Sequence, residues 1–297
     1  MITVMGATGN TGRKITELLL EGGEEVRALG RSPEKLAELD ALGAETFVGD
    51  VRDADYLAGI FAGADAVYTL TALDPTLPDY HADQDRRGEA MASAIRESGV
   101  RYVVALSAIG GELASGNGFI ASLHRQERRL RALDGVNVMI LRPGAFFEGF
   151  YAALETIHHE GVVADSVAPE AKVPMIATAD IAAVAARALR ERSWSGAVVR
   201  ELLGPRDLTY TEVAAAICEA ISHPNLQYVQ LPDKELVTIL TESAGFSPNF
   251  AALFVEFNQA LSEGRLHSLE GRNESNTTPT EFPEFAAELA HAYAATA

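Results

Sequence analysis

Short apolar runs alternate with longer segments of helical period through the first two-thirds of the chain. Strand candidates fall at residues 2–5, 25–29, 45–48, 66–70, 102–106 and 138–141. Apolar strands separated by helices indicate a parallel sheet covered on both faces. Between the first two strands, residues 11–21 place Ile15, Leu18 and Leu19 at helical spacing, and Gly22-Gly23 supplies a stop. The pattern changes after Pro143, where Phe146, Phe147, Phe150 and Tyr151 lead into an irregular stretch up to about Pro174. It then rejoins the sheet: a helix is expected to begin at 178–180 with Asp180 at or near its cap and to run to Leu189, followed by a strand over 198–203. From Gly204 onward the segments are mainly helical and end over 285–293. The expected fold is a Rossmann-type, doubly wound α/β sheet formed by residues 1–150 and 175–203. A smaller, mainly helical substrate or lid domain comprises residues 151–174 and 204–297.

Composition narrows the function classes. At 297 residues and 47% hydrophobic content the chain can bury a large core without disulfides or metals, and only the polar stretch 270–280 is a candidate for disorder. A formal net charge of −18 opposes binding to a phosphate backbone, so nucleic acid is set aside as a partner. Cys218 is the single cysteine and lies in an Ala-rich helical pattern, where a helix-core position is expected. The chain runs straight into a strand and a glycine-rich turn, and no apolar run reaches membrane-spanning length; the expected location is cytoplasmic, with no membrane partner. Monomer and homodimer both remain open.

The strongest chemical signal is Gly6-Ala7-Thr8-Gly9-Asn10-Thr11-Gly12 between the first strand and the first helix. The first glycine permits a tight turn, the second lets backbone approach a pyrophosphate, and the third lets helix pack on strand. Amides at the helix start then face the anion. An NAD site usually has Asp or Glu at the end of the second strand, on the ribose 2′-hydroxyl. Here that place reads Leu29-Gly30-Arg31-Ser32, and Arg31 with Ser32 suits a 2′-phosphate, so NADP(H) is the expected cofactor. Arg13 and Lys35 are candidates for further positive charge. Asp50, in Gly49-Asp50, is either an adenine-edge contact or a turn residue. Thr71, just past the fourth strand, completes the cofactor candidates on that side.

These segments resemble a known family. GATGNTG at 6–12, GRS at 30–32, GD at 49–50, LSA at 106–108, HRQERRL at 124–130 and LRPGAFFEGF at 141–150 are similar to the NmrA-like branch of atypical short-chain dehydrogenases/reductases. The resemblance extends through 173–189 and 202–214 and faintly to 278–288, covering most of the chain. It implies the Rossmann fold, the NADP cofactor and a small second domain. Family members include NADPH-dependent quinone, triphenylmethane dye and azo reductases, and also regulators that bind the dinucleotide without turning it over.

At the reactive end, ordinary short-chain dehydrogenases carry a Tyr followed four residues later by Lys, and no such pair follows Leu106-Ser107-Ala108. A simple ketone needs a positioned acid, whereas a quinone or dye spreads the incoming charge. The expected substrate is therefore a small aromatic or quinone-like acceptor. His124 is the candidate proton donor, with a helix-face histidine as its plain alternative. Ser107, at the carboxyl end of the fifth strand, either touches nicotinamide or substrate or caps the next turn. Glu127 either orients His124 or is a solvated carboxylate among arginines. Pro143 and Gly144 shape the loop over the nicotinamide. Phe146, Phe147 and Phe150 are candidate pocket walls, and Tyr80, in the segment 72–83, a candidate wall on a mobile loop. His158 and His159 lack ligand spacing, and no metal site is expected. The alternatives to a reductase are a redox-sensing regulator and a biosynthetic reductase or isomerase of a specialised aromatic metabolite.

Overall fold

The computed structural model describes residues 1–296. Strands β1 (Ile2–Met5), β2 (Val26–Gly30), β3 (Glu45–Val48), β4 (Ala66–Thr69), β5 (Tyr102–Leu106) and β6 (Asn137–Pro143) all enter one sheet. The next three, β7 (Ala145–Phe146), β8 (Val162–Asp165) and β9 (Val173–Ile176), lie outside it before β10 (Ala197–Leu202) returns beside β6. The seven strands run parallel in the order β10-β6-β5-β4-β1-β2-β3. The order reverses between β1 and β4, and an open α/β sheet places its ligand crevice outside the carboxyl ends at such a point. β11 (Asp207–Leu208) joins β9 and β7 in a small sheet, and β12 (Gln227–Gln230) pairs with β8.

Helices α1 (Asn10–Glu21) and α2 (Pro33–Ala41) cover one face; α3 (Ala54–Phe61), α4 (Tyr80–Ser98) and α5 (Ala121–Arg131) cover the other. After α6 (Leu154–Glu160), α7 (Thr178–Glu191) returns to pack on α1. Ile15 and Leu19 meet Ile181, Ala185 and Leu189 in one fully buried cluster. Burying each large side chain contributes about 1.5–3 kcal/mol, and small alanines let the two helices approach. α8 (Tyr210–Ala220), α9 (Asp233–Glu242), α10 (Pro248–Ser262) and α11 (Phe282–Ala295) complete the chain. A further core unites residues of 147–177 with α8, α10 and α11, including Phe147, Phe150, Tyr210, Val213, Phe282 and Phe285.

Several sequence expectations change in detail. The stretch 151–174 is not irregular: it holds α6, β8 and the start of β9. Asp180 does not cap α7, whose cap is Ala177. The Thr178 amide is received instead by Glu148, and Asp180 accepts from the backbone and hydroxyl of Thr280. Residues 270–280 are not loose. Arg272 bonds the Gly204 carbonyl at 2.9 Å, while Leu203 exchanges backbone bonds with Asn276 and Thr278. Cys218 is half-buried rather than a core residue, and its thiol donates to the His223 carbonyl. Among the described residues, no helix is long and apolar enough to cross a membrane.

Candidate functional site

The first turn is built by backbone constraint. Gly6 adopts φ +63°, the left-handed region that favours glycine. A Cβ on Gly12 would lie 2.2 Å from the Gly6 carbonyl oxygen, so the third glycine is required for α1 to start against the turn. The cap of α1 is Gly9, with no side-chain bond and no acidic residue in the first turn. The earliest intrahelical bond here runs from the Arg13 amide to the Gly9 carbonyl, so the amides of Asn10, Thr11 and Gly12 stand at the open N-terminus of α1. Thr11 is held from below: its Oγ1 accepts from the buried Tyr68 phenol at 3.0 Å. Burial pushes that phenol well above its ordinary range, so it remains a donor. Thr8 sits close to Gly30, where an added Cβ would lie 3.0 Å from Thr8 Cγ2. The glycine turn thus reaches the residue just before Arg31. Free amides, a tight glycine cradle and an exposed arginine at the end of β2 fit the diphosphate and a 2′-phosphate of a dinucleotide.

Other cofactor candidates are engaged by protein groups. Ser32 caps α2 by accepting from the Lys35 amide, and its hydroxyl donates to Glu34 at 2.9 Å. Arg13 is taken up in ion pairs with Glu17 and Glu38, which corrects its expected place beside a phosphate. Asp50 accepts from the Arg52 amide at 2.9 Å, and that bond holds its carboxyl below the usual range despite some burial. Arg52 in turn pairs with Asp83 at 2.7 Å. Asp83, nearly fully buried, also meets Arg87, whose Nη1 donates to the Ala72 carbonyl at 3.1 Å. Thr71, half-buried, lies on the loop this arginine secures.

The expectation of a mobile 72–83 loop is corrected by the start of α10. Ser247 donates its amide to Pro75 O and its hydroxyl to Leu77 O, and Asn249 accepts from the Tyr80 amide. Tyr80 is buried edge-on to Phe250, so it packs in the core beneath the loop. Phe147 and Phe150 are likewise corrected from pocket walls to core, against Phe282 and Tyr210. Phe146 alone of the three stays half-exposed. The aromatic residues missed in the sequence are Phe119, ahead of α5, and Phe254 and Phe257 of α10, which contact it at 4.6–6.3 Å between ring centres. They were missed because the contact joins segments more than 130 residues apart.

At the expected reactive end, Ser107 follows β5 and is buried, with its hydroxyl donating to Glu127 Oε1 at 2.6 Å. Glu127 is neither the partner of His124 nor solvated. It is buried and receives Arg142 through Nε at 2.8 Å and Nη2 at 2.7 Å. Burial alone raises the carboxyl's pKa, but the bonds from Arg142 and Ser107 outweigh it and hold Glu127 below its ordinary range, ionised. Arg142 carries a second carboxylate, Glu112, at 3.0 Å. An arginine inside the otherwise apolar run of β6 was the one available hint of this network. His124, half-buried on α5, donates from Nδ1 to the Gly111 carbonyl at 3.2 Å, because a carbonyl only accepts. Pro143 ends β6 beside Leu202, and the Gly144 amide bonds Leu202 O. A Cβ on Gly144 would fall 2.3 Å from Pro174 O, so this loop is fixed by close backbone approach. Among the described residues no cluster of His, Cys, Asp or Glu has the arrangement of a metal site.

Comparison with known proteins agrees with this architecture. Residues 6–192 match a family model described as NAD(P)H-binding. An NAD(P)H azoreductase of Xenophilus azovorans is 30% identical over 231 residues, covering 78% of this chain and 77% of that protein. A (4-alkanoyl-5-oxo-2,5-dihydrofuran-3-yl)methyl phosphate reductase of Streptomyces griseus is 30% identical over 296 residues, 99% of each chain. The fold matches a crystal structure of the NADPH-dependent quinone oxidoreductase QOR2 of Escherichia coli in complex with NADPH. That match has a TM-score of 0.82 at 23% identity, covering 97% of this chain and 99% of the other. The chain belongs to the NAD(P)H-binding family of oxidoreductases.

Proposed function

We propose that this protein is an NADPH-dependent reductase that passes hydride to a flat, conjugated, electron-poor acceptor, with a quinone or dye-like aromatic as the first class. The observation that carries the reading is the poverty of proton donors at the reactive end. Ser107 has committed its proton to an ionised Glu127, and His124 has committed its Nδ1 proton to Gly111. Neutral His124 therefore presents a bare Nε2 and delivers a proton from that atom only as imidazolium. A simple ketone would become a strongly basic alkoxide with little to receive it, whereas a conjugated acceptor disperses the charge and takes its proton from solvent.

When bound, NADPH supplies the hydride. The chain's own residues orient it: the amides of Asn10, Thr11 and Gly12 hold the diphosphate, and Arg31 takes the 2′-phosphate in preference to NADH's hydroxyl. The smaller domain, formed by 151–174 and the chain from 204 onward, acts as the substrate-side lid, and its Phe254 and Phe257 meet Phe119 of the sheet domain in an aromatic cluster. The Streptomyces relative's name favours a second reading within the same chemistry, a biosynthetic reductase of an unsaturated lactone-like acceptor. NADPH oxidation against quinones, azo dyes and butenolides, followed by absorbance, tests both. Saturable turnover with one class identifies it. Tight NADPH binding without turnover of any of them would favour a sensing role instead.

A further inference from the structure

We propose that Ser107 is a hydrogen-bond acceptor in the crevice, fixed in that role by Glu127 and Arg142, and that it selects substrates bearing an N–H donor beside the reducible system. The proposal rests on the reductase reading above. A serine hydroxyl has one proton and two lone pairs. Here the proton points inward to Glu127 Oε1 at 2.6 Å, and an ionised carboxylate has none to return. The donor's backbone is pinned as well, since the Ser107 amide bonds Leu141 O at 2.7 Å. Glu127 is fixed by the two-pronged grip of Arg142, and Arg131 approaches its outer oxygen at 3.4 Å. The hydroxyl thus does not cap the following turn, and it has no proton for an oxyanion.

Two features show that the chain accommodates this arrangement at some cost. A buried ion pair contributes little or no stability relative to apolar residues of the same size, so stability alone does not account for Arg142 and Glu127. The loop after β5 also crosses the network at Gly111, where a Cβ would lie 2.5 Å from Glu127 Oε1 and 2.7 Å from Ser107 Oγ. The lone pairs left on Ser107 favour a ligand that donates. A ligand lacking the donor leaves a partly desolvated oxygen without a partner.

The test compares two naphthoquinones of nearly equal shape, 2-amino-1,4-naphthoquinone and 2-methyl-1,4-naphthoquinone. Binding is measured by calorimetry to protein saturated with NADP+, which has no hydride to give. The wild type is expected to bind the amino compound about tenfold more tightly, the scale of one well-made hydrogen bond. Ser107→Ala removes the acceptor without unpairing a buried charge and should bring the two affinities together. Glu127→Gln keeps the size of the side chain but removes the charge and one of the two acceptor oxygens that Ser107 and Arg142 share, so the hydroxyl proton is held inward less firmly and the amino preference should shrink. A purely structural network would alter stability in these variants and leave the ratio untouched. Equal affinities in the wild type, or an amino preference that survives Ser107→Ala, would overturn the proposal. Failure of both compounds to bind, with no turnover of any acceptor, would remove the reductase reading and this inference with it.

Discussion

The two ends of the crevice are made of different materials. The glycine turn at the start of α1 presents backbone amides fixed by local geometry, with Gly12 packed against the Gly6 carbonyl. The proposed reactive end consists of side chains from the residue after β5, from α5 and from β6, joined by a buried ion pair. A backbone site depends on a few adjacent residues and tolerates change around it. A buried charge network depends on every member, because removing one leaves another desolvated and unpaired.

Arg142→Ala breaks the contrast most severely. It strands Glu127 in the interior and should lower stability by about 3–5 kcal/mol, read by urea denaturation. Replacing Glu127 and Arg142 together by Leu and Met should recover most of that loss; a single-variant cost near zero would mean the pair is not coupled. At the other end, Gly12→Val drives side-chain atoms into the Gly6 carbonyl. NADPH affinity, followed by fluorescence titration, should fall by at least about a hundredfold, or about 2.7 kcal/mol.

Asp165 sharpens the comparison, because it is a half-buried residue whose carboxyl is held without an arginine. It accepts from Asn258 Nδ2 at 2.6 Å and from the Ser166 amide, yet burial raises its pKa from 3.8 to about 6. The folded chain keeps this proton to about pH 6 while the unfolded chain loses it near pH 4, so the fold loses stability as pH rises across that window. Glu127 has the opposite sign: its contribution is present above its unfolded value and is lost as pH falls through its lower folded pKa. Asp165→Asn should flatten the first dependence and stabilise the protein at pH 7 by about 1–3 kcal/mol, checked by Tm against pH. An unchanged pH profile would show that the carboxyl is solvated. The smallest expected effect is at Arg31, an exposed residue. Arg31→Glu should weaken NADPH about tenfold while leaving NADH nearly unchanged, and equal losses for both would remove the 2′-phosphate from its role.

Much of the fold was legible because strand and helix periods are local. The expected strands at 45–48 and 102–106 match β3 and β5, and the α1 helix and its glycine start were readable from the adjacent residues 6–21. Phe147, Phe150 and Tyr80 misled the reading because an aromatic residue after a strand end looks the same whether it walls a pocket or meets a distant helix. Phe282 and Phe250, which cover them, lie more than 130 residues further on.

By itself the sequence determined the parallel sheet, the dinucleotide turn and the absence of a Tyr–Lys pair, since each depends on neighbouring residues and their backbone preferences. Only the tertiary structure decided what Ser107, Glu127 and Arg142 do. Their identity as a hydroxyl, an acid and a base was visible at once, but the sign of a hydrogen bond and the charge of a buried carboxylate depend on which partner the fold brings within 3 Å.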